Sequence, residues 1–376
     1  MQPADLSSLL TPVALLDEAR MAHNIQRMQQ RIDSLGVTLR PHVKTAKCVD
    51  VAWAQRAAGA VGITVSTLKE AEVFFDAGFN DILYAVCITP NKLATAQALR
   101  TRGCALQVVV DSVAAAQALV ASGHVFEVLI EIDTDGHRAG VLPDSDLLLD
   151  VGRTLHAGGA VLKGVMTHAG ASYECRTADS LQAMSEQERS RCVRAAERLR
   201  EADLPCPVVS VGSTPTALSA THLQGVTEVR AGVYIFQDLV MQGVGVCRSA
   251  EIALSVLATV IGHQLDKGWV LVDAGWMAMS RDRGTQDHTV DWGYGAVCNE
   301  GGLLIDEFLM ASANQEHGIV ARRDGQPDGA LAQRFPIGSR LRILPNHACA
   351  TAAQFPTYTV LAADGSIKHW PRFIGW

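Results

Sequence analysis

The chain has 376 residues, of which 48% are hydrophobic and 19% are charged, so it can bury a large core and is not disordered. Its formal net charge of −7 and its pI near 5.9 argue against nucleic acid or an anionic membrane as a partner. No signal peptide and no apolar run long enough for a transmembrane helix is predicted, and nine cysteines without a CxxC pair indicate reduced thiols. We therefore expect a cytoplasmic protein with one large and one smaller domain, or with two comparable domains.

Eight β-rich runs, each followed by a helical pattern, occupy the first 240 residues or so. Eight strands that alternate with helices over about 200 residues predict a (β/α)8 TIM-type barrel. A doubly wound open sheet is the rival fold, because periodicity does not show whether a sheet closes. The runs are LRPHVK (39–44), VGITVS (61–66), DILYAV (81–86), LQVVVD (106–111), FEVLIEID (126–133), LKGVMTHA (162–169), VVSVGS (208–213) and EVRAGVY (228–234).

After residue 245 the β-rich runs are separated by turn signals instead of helices. We therefore predict a barrel domain over residues 18–245 and a β domain over residues 246–376. The early run TPVALLD (11–17) is surplus to the eight barrel strands. We expect the segment 1–17 to supply a strand to the β domain.

Polar residues end most of the predicted barrel strands, where the active sites of such barrels lie. Capping of the following helix explains Ser66, Asp111 and Ser213 at little cost. Lys44 and His168 are poor helix caps, so the same explanation is weaker for them. These two residues are the first candidates for chemistry.

Two basic side chains lie at the end of a predicted strand or just past it, and each has two interpretations. Lys44 is either a surface lysine of a turn, as Lys47 is expected to be, or a nucleophile that forms a Schiff base. Arg138, just past the fifth strand, is either a surface arginine or a partner for a ring nitrogen or a carboxylate.

Two loops after the last predicted barrel strands are rich in glycine and hydroxyl groups. VGSTPT (211–216) offers backbone N–H groups with the hydroxyls of Ser213 and Thr214, and RAGVY (230–234) contains a glycine that permits close approach. Phosphate sites in these barrels are often formed by the loops after strands seven and eight. The pair of loops predicts a phosphate site.

The stretch PNHACAT (345–351) places His347 and Cys349 two residues apart in the predicted β domain. On an extended segment both side chains would point the same way, and imidazole with thiolate suits zinc. Taken alone, such a pair is more often ordinary packing of a buried cysteine, because zinc sites need more than two ligands.

Taken together, LRPHVKTAK, GSTPT, RAGVY, DAGWMAMS, NQEHG and PNHACAT resemble the D-threonine aldolase and eukaryotic-type D-serine dehydratase group, over nearly the whole chain. These are pyridoxal 5'-phosphate (PLP) enzymes of fold type III, with an alanine racemase-like barrel and a β domain. The resemblance implies PLP and a divalent metal as cofactors, zinc in preference to manganese, cobalt or magnesium. It also implies a homodimer.

The resemblance assigns roles to matching positions. It makes Lys44 the lysine that holds the cofactor and Arg138 the arginine at its pyridine nitrogen. The residues that flank the cofactor ring match His168 and Tyr173. The two phosphate-binding stretches match Ser213, Thr214, Gly232 and Val233. The metal pair matches His347 and Cys349.

The resemblance implies a dehydratase of D-β-hydroxy amino acids. We expect D-threo-3-hydroxyaspartate to give oxaloacetate and ammonia, and D-serine to give pyruvate and ammonia. Aldolases of the group have aspartate at the position of Cys349 and tend to have tyrosine at that of Thr167, so both departures favour dehydration. Arg281 and Arg283 are candidates to bind the second carboxylate, or are solvated loop charges. D-Threonine aldolase is the first alternative, followed by an amino-acid racemase and a non-catalytic PLP-binding protein.

Overall fold

The computed structural model describes residues 5–376, which divide into two compact units. One unit holds Gln26–Gly232 with Gly375–Trp376, and the other holds Val233–Ile374 with the N-terminal segment that ends at Ile25. The first elements of the described residues are strand β1 (Val13–Asp17) and helix α1 (Glu18–Ser34). Within residues 5–376, none of the helices has the length and apolar character needed to cross a membrane.

The first unit alternates strands with helices, as the sequence predicts. Its strands are β2 (Thr38–Leu39), β3 (Ile63–Val65), β4 (Asp81–Cys87), β5 (Ala105–Val110), β6 (Glu127–Glu131), β7 (Val161–Met166), β8 (Val208–Val211) and β9 (Glu228–Val229). The helices between them are α2 (Val49–Ala57), α3 (Leu68–Asp76), α4 (Pro90–Thr101), α5 (Val113–Ala121), α6 (Asp146–Ala157), α7 (Ala178–Glu201) and α8 (Thr214–Ser219).

The eight strands of this unit are parallel and form a closed ring. Their order is β2-β9-β8-β7-β6-β5-β4-β3, so β2 and β3 are the two edges of the sheet. Backbone bonds join these edges: Val61 N–H donates to the Leu39 carbonyl and Thr64 N–H to the Pro41 carbonyl, both at 2.8 Å. The predicted (β/α)8 barrel is confirmed and the open sheet is wrong.

The first barrel strand is shorter than the sequence suggests. β2 ends at Leu39, a single isolated pairing joins His42 to Thr64, and Lys44 lies in the turn that follows. Single backbone bonds continue past Pro41, since His42 N–H donates to the Ala231 carbonyl at 2.8 Å and Val43 N–H to the Thr64 carbonyl at 2.9 Å. Lys44 therefore projects from a turn beyond the strand.

Two expectations about neighbouring side chains are wrong. Thr67 and Ser112, not Ser66 and Asp111, cap α3 and α5, because each helix begins one residue later than predicted. Lys47 is not solvated. Its Nζ lies 3.2 Å from Oε1 of the buried Glu70 and its side chain is only 13% exposed.

The second unit is a mostly antiparallel sheet of nine strands, in the order β11-β14-β13-β12-β15-β10-β1-β16-β17, with a further pairing between β11 and β10. β1 lies inside this sheet, antiparallel to β10 and parallel to β16. Its other strands are β10 (Leu254–Gln264), β11 (Trp269–Val272), β12 (Ala296–Asn299), β13 (Leu304–Ala313), β14 (Gly318–Arg322), β15 (Arg340–Leu344), β16 (Thr357–Leu361) and β17 (Ile367–Pro371). The short helices are α9 (Leu239–Val244), α10 (Trp276–Met279), α11 (Leu331–Arg334) and α12 (Ala348–Ala352).

A buried arginine connects three elements of the barrel. Arg40, just past β2, donates from Nε to Glu228 (2.9 Å) and from both terminal nitrogens to Asp81 (2.8 and 3.0 Å). Arg40 and Glu228 are buried, while the Asp81 side chain is 41% exposed. Burial lowers the pKa of Arg40, but the two carboxylates outweigh this effect and raise it, so Arg40 stays charged.

Replacing this arginine leaves a buried carboxylate without its partner. We expect Arg40→Met to lower the free energy of unfolding by about 3 kcal/mol, measured by urea denaturation. The control is Arg153→Met, whose exposed partner Asp150 lies at 3.8 Å, and it should change the value by less than about 0.5 kcal/mol. Equal losses in the two variants would contradict the prediction.

Candidate active site

The turn after β2 carries a lysine without a partner. Lys44 is exposed, and among residues 5–376 its side chain makes no ion pair or hydrogen bond. Its charge lowers the pKa of both His42 and His168, so it lies near both rings. A lysine that is exposed, unpaired and beside two neutral imidazoles is available to react.

His168 follows β7 and is fixed as a neutral imidazole. Burial, and then the charge of Lys44, lower its pKa to about 3. Its Nδ1 lies 3.1 Å from the Gly212 carbonyl oxygen, to which it can only donate. The proton therefore resides on Nδ1, and Nε2 is an acceptor. The ring of Tyr173 lies 6.1 Å from that of His168, centroid to centroid.

The loop after β8 uses its first hydroxyl for structure. Ser213 is buried and accepts the N–H of Thr216 (3.3 Å), which caps α8, while its oxygen also lies 2.8 Å from the hydroxyl of Ser172. Thr214 is fully buried at the first position of that helix. The hydroxyl and the N–H of Ser213 are thus both engaged within the protein, the N–H with the Thr216 hydroxyl at 3.1 Å, so an anion would rely on backbone donors of a neighbouring loop.

The loop after β9 offers such donors. Among the described residues, 5–376, no acceptor is found for the backbone N–H of Gly232 or Val233. A Cβ at Gly232 would lie 3.0 Å from the His42 carbonyl oxygen and 3.1 Å from the Thr45 hydroxyl, so a side chain there would crowd the turn that carries Lys44. Two adjacent unpaired N–H groups fit a phosphate.

Arg138 lies on the loop after β6. Its guanidinium is 3.9 Å from Oε1 of the buried Glu131, its side chain is 53% exposed, and its charge contributes to the low pKa of His168. The barrel therefore brings Arg138, Lys44 and His168 close enough to influence one another electrostatically. An exposed guanidinium held near these groups can face a ring nitrogen or a carboxylate.

Two buried charges of the barrel were not predicted from the sequence. Arg230 donates to the Ser210 hydroxyl and to the Thr167 carbonyl, and Glu188 of α7 accepts the N–H groups of Ala169 and Gly212. The signal for Glu188 was a glutamate in register with the buried positions of α7.

The two candidate metal ligands of the second unit are brought together, but not by an extended segment. His347 precedes α12 and Cys349 lies in its first turn, so the helix start turns the thiol back within hydrogen-bonding reach of the imidazole. The predicted local structure was wrong. Among residues 5–376 no group of three or more His, Cys, Asp or Glu residues could hold a metal ion, so the pair would need water or substrate to complete a shell.

A carboxylate orients the imidazole of this pair. Nδ1 of His347 donates to Oδ2 of Asp282 at 2.8 Å, which leaves Nε2 for a metal, as is usual for ligating histidines. Burial lowers the pKa of His347, but the bonds to Asp282 and Cys349 outweigh it and raise the pKa to about 11, so a metal that binds here would displace the proton on Nε2. The donor types and the oriented ring fit zinc.

The two arginines that flank Asp282 differ in their contacts. Arg283 donates to the Asp291 carboxylate at 2.9 Å and lies over the ring of Tyr294. Arg281 is exposed and lies over the ring of Trp276, with its guanidinium carbon 4.6 Å from the centroid. No carboxylate among residues 5–376 pairs with Arg281, which makes it the freer cation of the two.

Comparison with known proteins matches both units to family models. Residues 16–239 match the alanine racemase N-terminal domain, and residues 253–361 match the putative serine dehydratase domain. The chain is 65% identical to D-threo-3-hydroxyaspartate dehydratase of Delftia sp. strain HT23, with 99% of both chains covered. A solved structure of that enzyme superposes with a TM-score of 0.98 over all of both chains, at 64% identity.

More distant relatives have related activities. D-serine dehydratase of Dictyostelium discoideum is 31% identical, over 97% of this chain and 98% of its own. D-threonine aldolase of an Arthrobacter species is 30% identical, over 92% of this chain and 88% of its own.

The low pKa of His168 predicts a dependence of stability on pH. Because the folded pKa of about 3 lies below the ordinary 6.5, the unfolded chain takes up a proton that the folded chain refuses as the pH falls below 6.5. Between pH 6.5 and 5 this group should lower the free energy of unfolding of the wild type by up to about 1.4 kcal/mol per pH unit. The free energy of unfolding of His168→Asn should fall correspondingly less.

Urea denaturation at pH 7.5, 6.0 and 5.0 measures this difference. The matched control is His124→Asn, because His124 is exposed. If wild type and His168→Asn lose stability in parallel as the pH falls, His168 is not held neutral.

Proposed function

The chain belongs to the family of proteins that combine an alanine racemase N-terminal domain with a serine dehydratase domain, and we propose that it is a lyase that dehydrates D-β-hydroxy amino acids. The reaction eliminates water and ends in a 2-oxo acid and ammonia. The observation that carries the proposal is 65% identity to D-threo-3-hydroxyaspartate dehydratase over 99% of both chains. D-threo-3-hydroxyaspartate would give oxaloacetate, and D-serine, the substrate of more distant relatives, would give pyruvate.

The barrel residues would hold PLP. Lys44 would bind it covalently, the backbone N–H groups of Gly232 and Val233 would hold its phosphate with the Ser213–Thr214 turn, and Arg138 would face its ring nitrogen. PLP, when bound, supplies an electron sink for negative charge at the substrate α-carbon. The unpaired state of Lys44 and of these N–H groups supports the assignment.

The reaction needs a base, and the site contains a suitable amine. We assign removal of the α-proton to Nζ of Lys44, which would act as the general base. His168 donates through Nδ1 to a backbone carbonyl, so it can offer only an acceptor, Nε2, to the cofactor or to substrate. The ring of Tyr173 lies beside that of His168, and we propose that His168 holds the reactants in place.

We propose that His347 and Cys349 hold a divalent metal, zinc in preference to manganese, cobalt or magnesium. A bound metal would supply Lewis-acid assistance to loss of the β-hydroxyl. Structures of a 64% identical dehydratase include a histidine-to-alanine mutant and a cysteine-to-alanine mutant in the metal-free form, two positions apart, which is the spacing of His347 and Cys349.

The second carboxylate of 3-hydroxyaspartate needs a cation. Of the two candidates we favour Arg281 over Arg283, because the latter is paired with Asp291. The homodimeric state, the cytoplasmic location and the division of the chain at residue 245 stay predictions.

D-threonine aldolase is the second candidate function, favoured by the 30% identical Arthrobacter enzyme. Product analysis separates the two. We expect D-threo-3-hydroxyaspartate and D-serine to release ammonia and a 2-oxo acid in equal amounts, because β-elimination cleaves the carbon–oxygen bond. Glycine and an aldehyde from D-threonine, without ammonia, would establish the aldolase instead.

The lysine assignment predicts a loss of both colour and activity. Lys44→Ala should lack the visible absorbance of lysine-bound PLP and should lose at least about 1,000-fold in kcat, because both the covalent link and the base are removed. The control is Lys69→Ala, a lysine exposed on α3, which should keep both. A variant Lys44→Ala with wild-type absorbance would refute the assignment.

The metal assignment predicts reversible inactivation. Treatment with EDTA should lower dehydration of D-serine, and zinc should restore it, because the hydroxyl loses its Lewis acid. Metal content measured by mass spectrometry should fall in His347→Ala and in Cys349→Ala, but not in Cys104→Ala, a buried cysteine of the barrel. Full activity in metal-free protein would remove the metal from the proposal.

A further inference from the structure

One buried carboxylate joins the ends of two barrel strands. Glu188 of α7 is only 2% exposed, and its Oε1 accepts the backbone N–H of Ala169 (3.0 Å) and of Gly212 (2.9 Å). Ala169 lies beyond the end of β7, and Gly212 directly follows β8. A single oxygen therefore fixes how far apart these two strand ends lie.

The two residues held in this way adjoin candidate cofactor residues. Ala169 follows His168, and Gly212 precedes Ser213. The peptide units of Gly212 are held on both sides, because its N–H donates to Glu188 and its carbonyl accepts from the His168 ring. No larger residue fits at Gly212 unless the backbone moves, since a Cβ there would lie 2.1 Å from the Arg230 carbonyl oxygen.

Packing alone does not call for a carboxylate at this position. The other buried positions of α7 are apolar or small, among them Leu181, Cys192 and Leu199, and an apolar side chain would fill the space without the cost of burying an acid. Burial raises the pKa of Glu188, while bonds from Thr216 and from the two N–H groups oppose that rise. The carboxylate is thus retained at a cost. Its hydrogen bonds go to the loops after β7 and β8 and to Thr216 of α8, and the charge of the buried Arg230 also acts on it.

We propose that Glu188 is a positioning residue: it holds the His168 ring and the Gly212–Thr214 turn in the arrangement that binds the phosphate and ring of PLP. The proposal rests on the function proposed above. In this assignment Glu188 touches neither cofactor nor substrate. It acts through the hydrogen bonds that it accepts from the backbone N–H groups of Ala169 and Gly212.

The test compares two conservative variants by titrating cofactor-free full-length protein with PLP. Glu188→Asp is one methylene too short to reach both N–H groups, so the Kd for PLP should rise about tenfold or more, as for loss of a buried hydrogen bond. Glu188→Gln keeps an oxygen in place and should bind within about threefold of wild type. Glu197→Asp, at an exposed position of the same helix, controls for the substitution.

A second readout is the visible circular dichroism of the bound cofactor, which reports its orientation. We expect a changed band in Glu188→Asp at saturating PLP and a wild-type band in Glu188→Gln and Glu197→Asp. Wild-type affinity and dichroism in Glu188→Asp, or an equal loss in Glu188→Gln, would overturn the positioning role. Failure of wild type itself to bind PLP would instead overturn the proposed function.

Discussion

Closure of the parallel sheet between β2 and β3 is the constraint on which the candidate active site depends. Once the two edges are joined by backbone bonds, the carboxyl ends of all eight strands must meet at one rim. Lys44, Arg138 and His168 are separated by many residues along the chain. The charges of Lys44 and Arg138 nevertheless both lower the pKa of the His168 imidazole. No local motif could bring them together without the ring.

The sequence allowed the barrel to be predicted because each of its strands and helices has its own periodic pattern and its own turn signals. Closure, by contrast, is a pairing between segments that are adjacent only in space, so the periodicity of the sequence does not show it. The same limit explains Lys47, whose partner Glu70 is invisible in the pattern of residues around it.

The candidate site was predictable where a residue type is unusual for its position, and not where it acts through other residues. Lys44 and His168 stood out because neither is a helix cap. Glu188 and Asp282 did not, because a glutamate in a long helix and an aspartate in a loop are ordinary until their partners are known. His347 and Cys349 were found for the wrong geometric reason, since a helix start places them and not a strand.

The position of β1 has a consequence for the order of folding. Val13–Leu16 pair with Leu254–Leu257, and Leu15–Asp17 pair with Thr359–Leu361, so β1 is synthesised more than 200 residues before its partners. The barrel unit, apart from its last two residues, is continuous from Gln26 to Gly232. On the ribosome the barrel can therefore form while β1 is still unpaired, and the second sheet is completed only after β16 and β17 emerge.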